Sequence, residues 1–254
     1  MEQKNQNKHY IVEHMDDGLF DWSLAEYKEM TKYLKTDKRE KSSLIFSNTT
    51  QFLSENDPED NEKYQKNIQE IEKENVTFLE KKLHTYFDEK GNLVLPEKNI
   101  NVPFERICLL DMRGDRDLEP ADAKDFDCFL FGGILGDHPP KDRTKELRQI
   151  GFKQKRLGDI QLTTDTALLI TKLIIENGHK FDEIPYAIEP DVVNKKDPTE
   201  CTQMEGFRYV TKQYDIEKDV INFENQDQNS KQPVMSAKIM DELLFEPLNL
   251  GPPL

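Results

Sequence analysis

The chain has 254 residues, 35% of them hydrophobic and 33% charged, which is enough for one core with an insertion. Its apolar runs are shorter than the roughly 20 residues of a membrane-spanning helix, and the N-terminus lacks the apolar block of a signal peptide. A soluble, cytoplasmic protein without membrane contact is therefore predicted. The formal net charge of −15 opposes binding to phosphate backbones and favours cationic partners.

The three cysteines give no sign of a metal or disulfide framework. Cys108, Cys128 and Cys201 form no CxxC pair, and the first two lie inside apolar, strand-like runs. A small buried thiol is the ordinary interpretation of such positions. We therefore predict neither a zinc site nor a disulfide, and no other metal.

The first part of the chain alternates between strand and helix patterns. Strands are predicted over His9–Met15 and Ser42–Asn48, separated by a helix over Asp21–Lys35 whose apolar residues recur every three or four positions. A strand–helix–strand order is typical of a parallel sheet with right-handed crossovers. The predicted fold class is therefore α/β, with a mostly parallel sheet flanked by helices.

The composition changes between residues 54 and 105, where Glu, Lys and Asn dominate and apolar residues are sparse. A charged surface helix is predicted there, followed by a loop or small hairpin around the sequence EKGN. We interpret the segment as an insertion that decorates the core. A solvated insertion without function is the simplest account of it.

Apolar segments return after this insertion. The run Asp127–Ile134 is almost continuously hydrophobic, as expected for a strand that is buried on both faces. The other predicted elements are a strand over Arg106–Met112, a helical turn at Pro120, a helix over Arg143–Ile150, a strand over Lys153–Asp159, a helix over Thr163–Gly178, edge strands within 184–193 and 207–210, a mobile linker over 223–233 and an amphipathic helix over Val234–Phe245.

Two loops are unusual for the positions they occupy at strand ends. The first contains Gly132, Gly133, Gly136 and Asp137, and the second runs from Arg156 to Ala167 into a strong helix. Parallel α/β sheets bind ligands at the carboxyl ends of their strands, and glycine lets the backbone approach a ligand closely. Neither loop contains GxGxxG or GxxxxGK[ST], which removes the main support for a kinase, an ATPase or an ordinary dehydrogenase. A tight turn with close strand–helix packing is the alternative for the glycine loop.

The segments 131–147, FGGILGDHPPKDRTKEL, and 155–167, KRLGDIQLTTDTA, resemble the fungal SPOUT-class protein arginine methyltransferases. The second segment also follows the wider SPOUT pattern LGxxxLRtETA at Leu157, Gly158, Leu162, Thr164 and Ala167. Further stretches similar to the family are 10–18, 107–123 and 207–210. The resemblance spans most of the chain outside the insertion. Two departures are the length of the insertion and Glu205-Gly206, where the family motif has one Pro.

The resemblance implies a fold with a deep C-terminal trefoil knot that binds S-adenosylmethionine. It also implies one methyltransferase domain over 9–210 with the insertion 54–105, a disordered leader over 1–8, and a tail over 211–254 that ends in a short helix. The implied substrate is one arginine of a basic small-subunit ribosomal protein, and the implied state is a monomer without direct nucleic-acid contact. By position, the implied cofactor residues are Leu110, Asp111, Gly132, Gly133, Gly136, Leu157, Gly158, Gln161, Leu162 and Thr163.

Methyl transfer to arginine needs carboxylates, because a protonated guanidinium is a poor nucleophile that must be held and oriented. Glu13, after the first strand, and Asp137, in the glycine loop, are the candidate catalytic residues. A structural ion pair of Glu13 with Arg113 or Arg143 is the alternative. For His14 and His138, a packing or capping role is favoured over catalysis.

Two other functions remain open at this point. Many SPOUT proteins methylate RNA, but this chain offers only scattered basic residues, such as KQKR over 153–156, against its acidic total. A non-enzymatic scaffold that keeps the fold without turnover is the second alternative. Failure to bind S-adenosylmethionine would favour the scaffold.

Overall fold

The computed structural model describes residues 7–35, 42–52, 62, 65–66, 68–69, 71, 76–133, 142 and 144–245. A six-stranded sheet forms its centre, with all neighbouring strands parallel and the spatial order β3-β2-β1-β7-β6-β8. These strands are β1 His9–His14, β2 Ser43–Ser47, β3 Val76–Leu79, β6 Ile107–Leu110, β7 Cys128–Gly133 and β8 Lys153–Lys155. The α/β fold class with a parallel sheet flanked by helices is confirmed.

Among the described residues, three α-helices with complete bounds and four small antiparallel sheets surround this centre, and residues 62, 65–66, 68–69 and 71 are also helical. The helices are α1 Asp21–Lys35, α2 Lys145–Ile150 and α3 Thr164–Ile175. The small sheets pair β4 Asn92–Leu95 with β5 Ile100–Pro103, β9 Tyr186–Ile188 with β12 Arg208–Val210, β10 Asp191–Val193 with β11 Cys201–Gln203, and β13 Tyr214–Asp215 with β14 Val220–Ile221. Short 3₁₀ helices span Thr49–Phe52, Leu83–Tyr86, Pro96–Lys98, Phe104–Arg106, Pro120–Lys124, Phe181–Glu183 and Asn229–Lys231.

Both faces of the central sheet are buried, because side chains alternate between two cores along each strand. Tyr10 and Val12 face a core that includes residues of α1 and α3. Ile11, between them, faces a second core formed with the β4–β5 hairpin and α2. This double burial explains why the strands appear in the sequence as almost unbroken apolar runs.

The insertion contributes more to the fold than predicted. Strand β3 lies within it and pairs with β2, with Leu44 opposite Val76 in the register, so the insertion supplies one edge of the main sheet. The prediction of a segment that only decorates the core is therefore wrong. The four residues of β3 are too few to stand out from a charged background. The turn predicted around EKGN is present, flanked by a bridge between Phe87 and Leu93.

The C-terminal region departs from the prediction in two places. The stretch predicted to be a mobile linker is an ordered series of turns, in which Ser230 is buried and donates to the carbonyls of Asn225 and Asp227. The predicted amphipathic helix is reduced to a π-helical segment over Ile239–Leu243. Val234 cannot join it, because its N–H is bonded to the carbonyl of Val210 and holds this part of the chain extended. The domain boundary at residue 210 stays a prediction.

Two further predictions concern strand length and the cysteines. Strand β8 ends at Lys155, earlier than predicted, because Arg156 pairs with the loop after β6 instead of the sheet. Cys108 and Cys128 are buried free thiols as predicted, and Cys201 is exposed. Across the part of the chain that the structure describes, every helix is too short or too polar to cross a membrane.

A buried ion pair ties the C-terminal region to α3. Lys172 is fully buried and pairs with Asp219, which also accepts a hydrogen bond of 2.9 Å from the Tyr214 hydroxyl. The backbone carbonyl of Asp219 accepts a further bond from Asn177. An ammonium group buried in an apolar helix face is tolerated only with such a partner.

Replacement of this partner should destabilise the fold. Asp219→Ala leaves Lys172 buried without its carboxylate and should lower the free energy of unfolding by about 3–5 kcal/mol, measured by urea denaturation. Adding Lys172→Met should recover most of the loss. The control is Asp215→Ala, which breaks an exposed pair with Lys218 and should cost much less. Equal losses for Asp219→Ala and Asp215→Ala would contradict the role assigned to burial.

Candidate active site

The predicted site residues meet at one edge of the central sheet. Strand β6 lies between β7 and β8, so the three strands end side by side. Leu110 ends β6 and Gly133 ends β7, while the chain leaving β8 at Lys155 runs on to Thr163 at the start of α3. The sheet therefore brings together all the predicted cofactor residues that the structure describes. Gly136, Asp137 and His138 lie outside the described residues.

Two chain segments cross at this edge with little space between them. The loop after β6 bonds to the chain leaving β8, since Leu118 donates to the carbonyl of Arg156 and Arg156 donates to that of Arg116. A Cβ atom on Gly114 would overlap the carbonyl carbon of Lys155 and lie 2.6 Å from the nitrogen of Arg156. Only glycine permits this crossing.

Gly133 is closely surrounded by side chains on the face of the sheet against which α1 packs. A Cβ atom there would overlap the hydroxyl oxygen of Tyr27 and lie 2.7 Å from Cγ1 of Val12. The carbonyl of Gly133 accepts a hydrogen bond from the Met15 N–H, which links the glycine loop to the chain after β1. The end of β7 therefore has no room for a larger residue.

The Tyr27 hydroxyl is held by His14, which is completely buried. His14 Nδ1 lies 2.8 Å from that hydroxyl, and Nε2 lies 3.1 Å from the carbonyl oxygen of Gly18. A carbonyl cannot donate, so Nε2 carries the proton and Nδ1 accepts from Tyr27. Burial lowers the pKa of His14 to about 4, which keeps the ring neutral. The packing role predicted for His14 agrees with this geometry.

The loop from Leu157 to Leu162 has a largely unpaired backbone. Among the described residues, its backbone is paired only at Gln161, which forms a parallel bridge with Phe207 and whose carbonyl accepts from the Arg208 N–H. Gly158 has a left-handed φ of 75°, and the side-chain oxygen of Gln161 is buried without a described partner. Leu157 and Leu162 pack against the α1–α3 core. Polar groups left unpaired at a strand-end loop mark a place where a ligand can supply the missing bonds.

Asp111 is committed to internal contacts. Its Oδ1 accepts from the backbone N–H of Arg113 at 2.8 Å, and its Oδ2 accepts from Thr144 and from Arg148 Nη1. The carboxylate thereby fastens the loop after β6 to the start of α2. The ligand contact expected of Asp111 stays a prediction.

Glu13 is buried on the sheet face that the β4–β5 hairpin covers, opposite the face of Leu110 and Leu157. Its Oε2 accepts from the Ser47 hydroxyl at 2.6 Å and from the Leu83 N–H at 2.8 Å. The described hydrogen bonds leave Oε1 unused. The ion pair with Arg113 considered as an alternative is absent from the described contacts, where Arg113 pairs with Asp142 instead. Arg143, the other partner considered, lies outside the described residues.

Sequence reasoning missed a pair of buried acids beneath the loop. Glu26 of α1 accepts from Trp22 Nε1 at 2.7 Å and from the backbone N–H groups of Thr164 and Asp165, so it caps the start of α3. Burial and the charge of Asp165 raise the pKa of Glu26 well above its usual range. The Tyr33 hydroxyl donates to Asp165 across the same core. Only the spacing of Trp22 and Glu26, four residues apart on a helix, hinted at this contact.

The ends of β6, β7 and β8 lie side by side in a parallel sheet and their loops cross closely, which agrees with the SPOUT-type methyltransferase fold that the sequence resemblance implies. Residues 9–244 match the family described as Protein arginine N-methyltransferase SFM1-like. The chain is 37% identical over 205 residues to Protein arginine N-methyltransferase SFM1 of Saccharomyces cerevisiae, covering 79% of this chain and 85% of that protein.

Solved structures give the same result. The yeast arginine methyltransferase SFM1 complexed with SAH is 34% identical, with a TM-score of 0.65 and coverage of 91% of this chain and 92% of the other. The same enzyme complexed with SAM is 35% identical, also with a TM-score of 0.65, covering 92% and 89% of the two chains. The chain belongs to the SFM1-like family of protein arginine N-methyltransferases. The predicted enzyme class is therefore confirmed.

A side chain at Gly133 should weaken ligand binding at this edge. Gly133→Val would displace Tyr27 and the end of β7, so we expect at least a tenfold loss of S-adenosylhomocysteine affinity by calorimetry, with the fold largely retained. The control is Gly91→Ala, since Gly91 also lacks a Cβ atom but lies in a distant turn with open space around it. Unchanged affinity in Gly133→Val would show that the ligand does not use this loop.

The buried acids predict a pH dependence of stability. Burial raises the pKa of Asp165 from 3.8 to about 6, so the folded protein holds this proton where the unfolded chain has lost it. Stability should therefore fall as the pH rises from about 4 to above 6.

Asp165→Asn removes this titration. Between pH 4 and pH 7 the free energy of unfolding, measured by urea denaturation, should fall in both proteins. The fall in Asp165→Asn should be about 1–3 kcal/mol smaller than the fall in the wild type. The exposed substitution Asp182→Asn serves as the control and should follow the wild type. Parallel pH profiles for Asp165→Asn and the wild type would refute the assignment.

Proposed function

We propose that this protein transfers a methyl group from S-adenosylmethionine to an arginine side chain of a basic small-subunit ribosomal protein. Family membership supports the reaction, and the unpaired backbone of residues 157–162 is the observation that supports a cofactor at this edge. The acidic net charge of −15 favours a cationic protein as substrate. A cytoplasmic monomer is proposed with it.

The described residues fit an adenosyl group. The loop from Leu157 to Leu162 combines apolar side chains with free backbone N–H and carbonyl groups, which suits a flat base with polar edges. The buried side-chain oxygen of Gln161 has no described partner and could accept from an amino group. Gly132 and Gly133 place no side chain beside the loop.

Each proposed cofactor residue has a distinct role. Leu110, Leu157 and Leu162 would pack on the base, while Gly158 and Gln161 would offer polar partners. Gly132, Gly133 and Gly136 would keep the approach free of side chains. Asp111 would hold the loop after β6 in place, and Thr163, whose hydroxyl bonds to that of Thr166 at 2.8 Å, would fasten the start of α3. A deep trefoil knot, proposed with this site, would need backbones that cross as closely as those at Gly114 and Lys155.

When bound, S-adenosylmethionine supplies an electrophilic methyl group on a sulfonium. The protein must hold the substrate guanidinium with one nitrogen aimed at that methyl and must accept a proton from it. We assign the holding role to Glu13 and Asp137. Glu13 lies on the sheet face opposite Leu110 and Leu157, so it would have to reach the substrate past the end of β7 at Gly132. Ser47 and Leu83 fix its Oε2, which leaves Oε1 to accept from a guanidinium. Gly132, opposite Glu13 in the register, places no side chain beside that carboxylate.

An RNA substrate has less support at this edge. The arginines at this edge of the protein already pair with carboxylates of nearby loops. These pairs are Arg113 with Asp142, Arg116 with Asp122, Arg148 with Asp111 and Asp142, and Arg156 with Asp117. Phosphate binding would have to displace these acids, and the net charge of the chain opposes it.

The proposed reaction is tested by transfer of labelled methyl from S-adenosylmethionine to unmodified small ribosomal subunits. The products are then digested separately with nuclease and with protease. Label that resists nuclease, is released by protease and appears as methylarginine supports the proposal. Label released by nuclease would make the protein an RNA methyltransferase, and cofactor binding without any transfer would favour a scaffold.

Glu13→Gln should separate binding from transfer. We expect near-normal S-adenosylhomocysteine affinity, because Gln keeps an oxygen for Ser47 and Leu83, and at least a tenfold lower kcat, because the charge at Oε1 is lost. Calorimetry and the methyl-transfer assay measure the two effects. The exposed substitution Glu105→Gln is the matched control. An unaltered rate in Glu13→Gln would remove Glu13 from the mechanism.

A further inference from the structure

The loop from Leu157 to Leu162 cannot hold its own shape. It has one described backbone hydrogen bond, from the Arg208 N–H to the carbonyl of Gln161, and its turn depends on the positive φ of Gly158. Isolated strands and loops with so few internal bonds are free to move unless side chains confine them. The residues that confine this loop therefore control the shape of the proposed binding surface.

Arg208 forms the wall behind this loop. A Cβ atom on Gly158 would lie 2.8 Å from Arg208 Nη1 and 2.7 Å from Cζ of Phe181, so both side chains touch the loop at its glycine. The Arg208 N–H and the parallel bridge between Phe207 and Gln161 fasten the same loop through the backbone. One residue thus holds the loop at two points, by its main chain and by its guanidinium.

Aromatic rings hold the Arg208 side chain in place, with little help from an ion pair. The guanidinium carbon lies 5.3 Å from the centre of the Phe181 ring and 4.9 Å from that of Tyr186. The carboxylate of Asp159 is 3.9 Å away and its side chain is 90% exposed, so it adds little. The Tyr186 hydroxyl donates to the carbonyl of Phe181 at 3.0 Å, which keeps the two rings together.

The guanidinium is kept at a cost. Arg208 is only 9% exposed, and its Nε is buried without a described hydrogen-bond partner. A buried donor without a hydrogen-bond partner destabilises a protein. The presence of such a donor in Arg208 therefore indicates that this planar cation serves a purpose other than stability. Stacking on ring faces needs a flat guanidinium, which the compact ammonium of lysine does not provide.

We infer that Arg208, held between Phe181 and Tyr186, is a positioning residue that shapes the loop from Leu157 to Leu162 for the adenosyl part of the cofactor without contacting the cofactor itself. The inference rests on the proposed function, because it assigns the loop to S-adenosylmethionine. Tyr186 lies against both Arg208 and Phe181, so its ring supports the two side chains that touch the loop at Gly158.

Arg208→Lys tests this role in the full-length protein. S-adenosylhomocysteine affinity, measured by calorimetry well below the melting temperature of each variant, should fall at least tenfold. The KM for S-adenosylmethionine should rise by a similar factor, whereas kcat at saturating cofactor should stay within twofold. Tyr186→Leu, which removes one ring face and leaves Arg208 in place, should weaken binding in the same direction.

Arg106→Lys is the matched control. Arg106 lies just before β6, at the opposite edge of the sheet, where it forms two hydrogen bonds with Asp127. Its replacement should leave S-adenosylhomocysteine affinity unchanged. Wild-type affinity in Arg208→Lys would overturn the inference. So would a tenfold loss of kcat at unchanged affinity, because Arg208 would then act on the transfer itself. A wild-type protein that does not bind S-adenosylhomocysteine would instead refute the proposed cofactor.

Discussion

The close approach of chain segments at the carboxyl edge of the sheet is the constraint on which the site depends. Gly114 lies against the backbone of Lys155, Gly133 against the Tyr27 side chain, and Gly158 against the side chains of Phe181 and Arg208, so a Cβ atom at any of the three would clash. Larger residues would separate the chain segments and widen the edge. The loops that meet there can therefore present their backbone groups to a ligand at close range.

Helix α1 supports this edge from behind. Tyr27 confines Gly133, while Glu26, one residue earlier, caps the start of α3. A single helix thus holds both the end of β7 and the end of the loop after β8. A buried acid opposes folding at neutral pH, but Glu26 offsets part of that cost by bonding N–H groups that a helix start leaves unpaired. Stability and site geometry are consequently linked through one element.

The basic side chains at this edge form ion pairs with neighbouring carboxylates. Arg113, Arg148 and Arg156 all pair with acids of the strand-end loops, so their positive charge is neutralised locally. Asp17 and Asp159 remain exposed on the same loops. In a chain with a net charge of −15, this distribution is the one expected for the cationic protein substrate that we propose.

Much of the architecture could be predicted from the sequence, because apolar runs and helical spacing are local signals. Such patterns predict the strands β1, β6 and β7, the helices α1 and α3, and the glycine loops at strand ends. The family resemblance likewise rests on contiguous motifs. Strand β3 was hidden, since four residues in a charged segment give no clear period.

The support of the site was decided by tertiary structure alone. Glu26 meets Asp165, Asp111 meets Arg148, and Arg208 meets Phe181 across long stretches of chain. No spacing in the sequence encodes these contacts. The sequence by itself determined five of the six strands of the parallel sheet and the glycines at which the chain can bend. Only the packing of distant side chains against those bends decided the shape that the loops adopt, because each bend has few hydrogen bonds of its own.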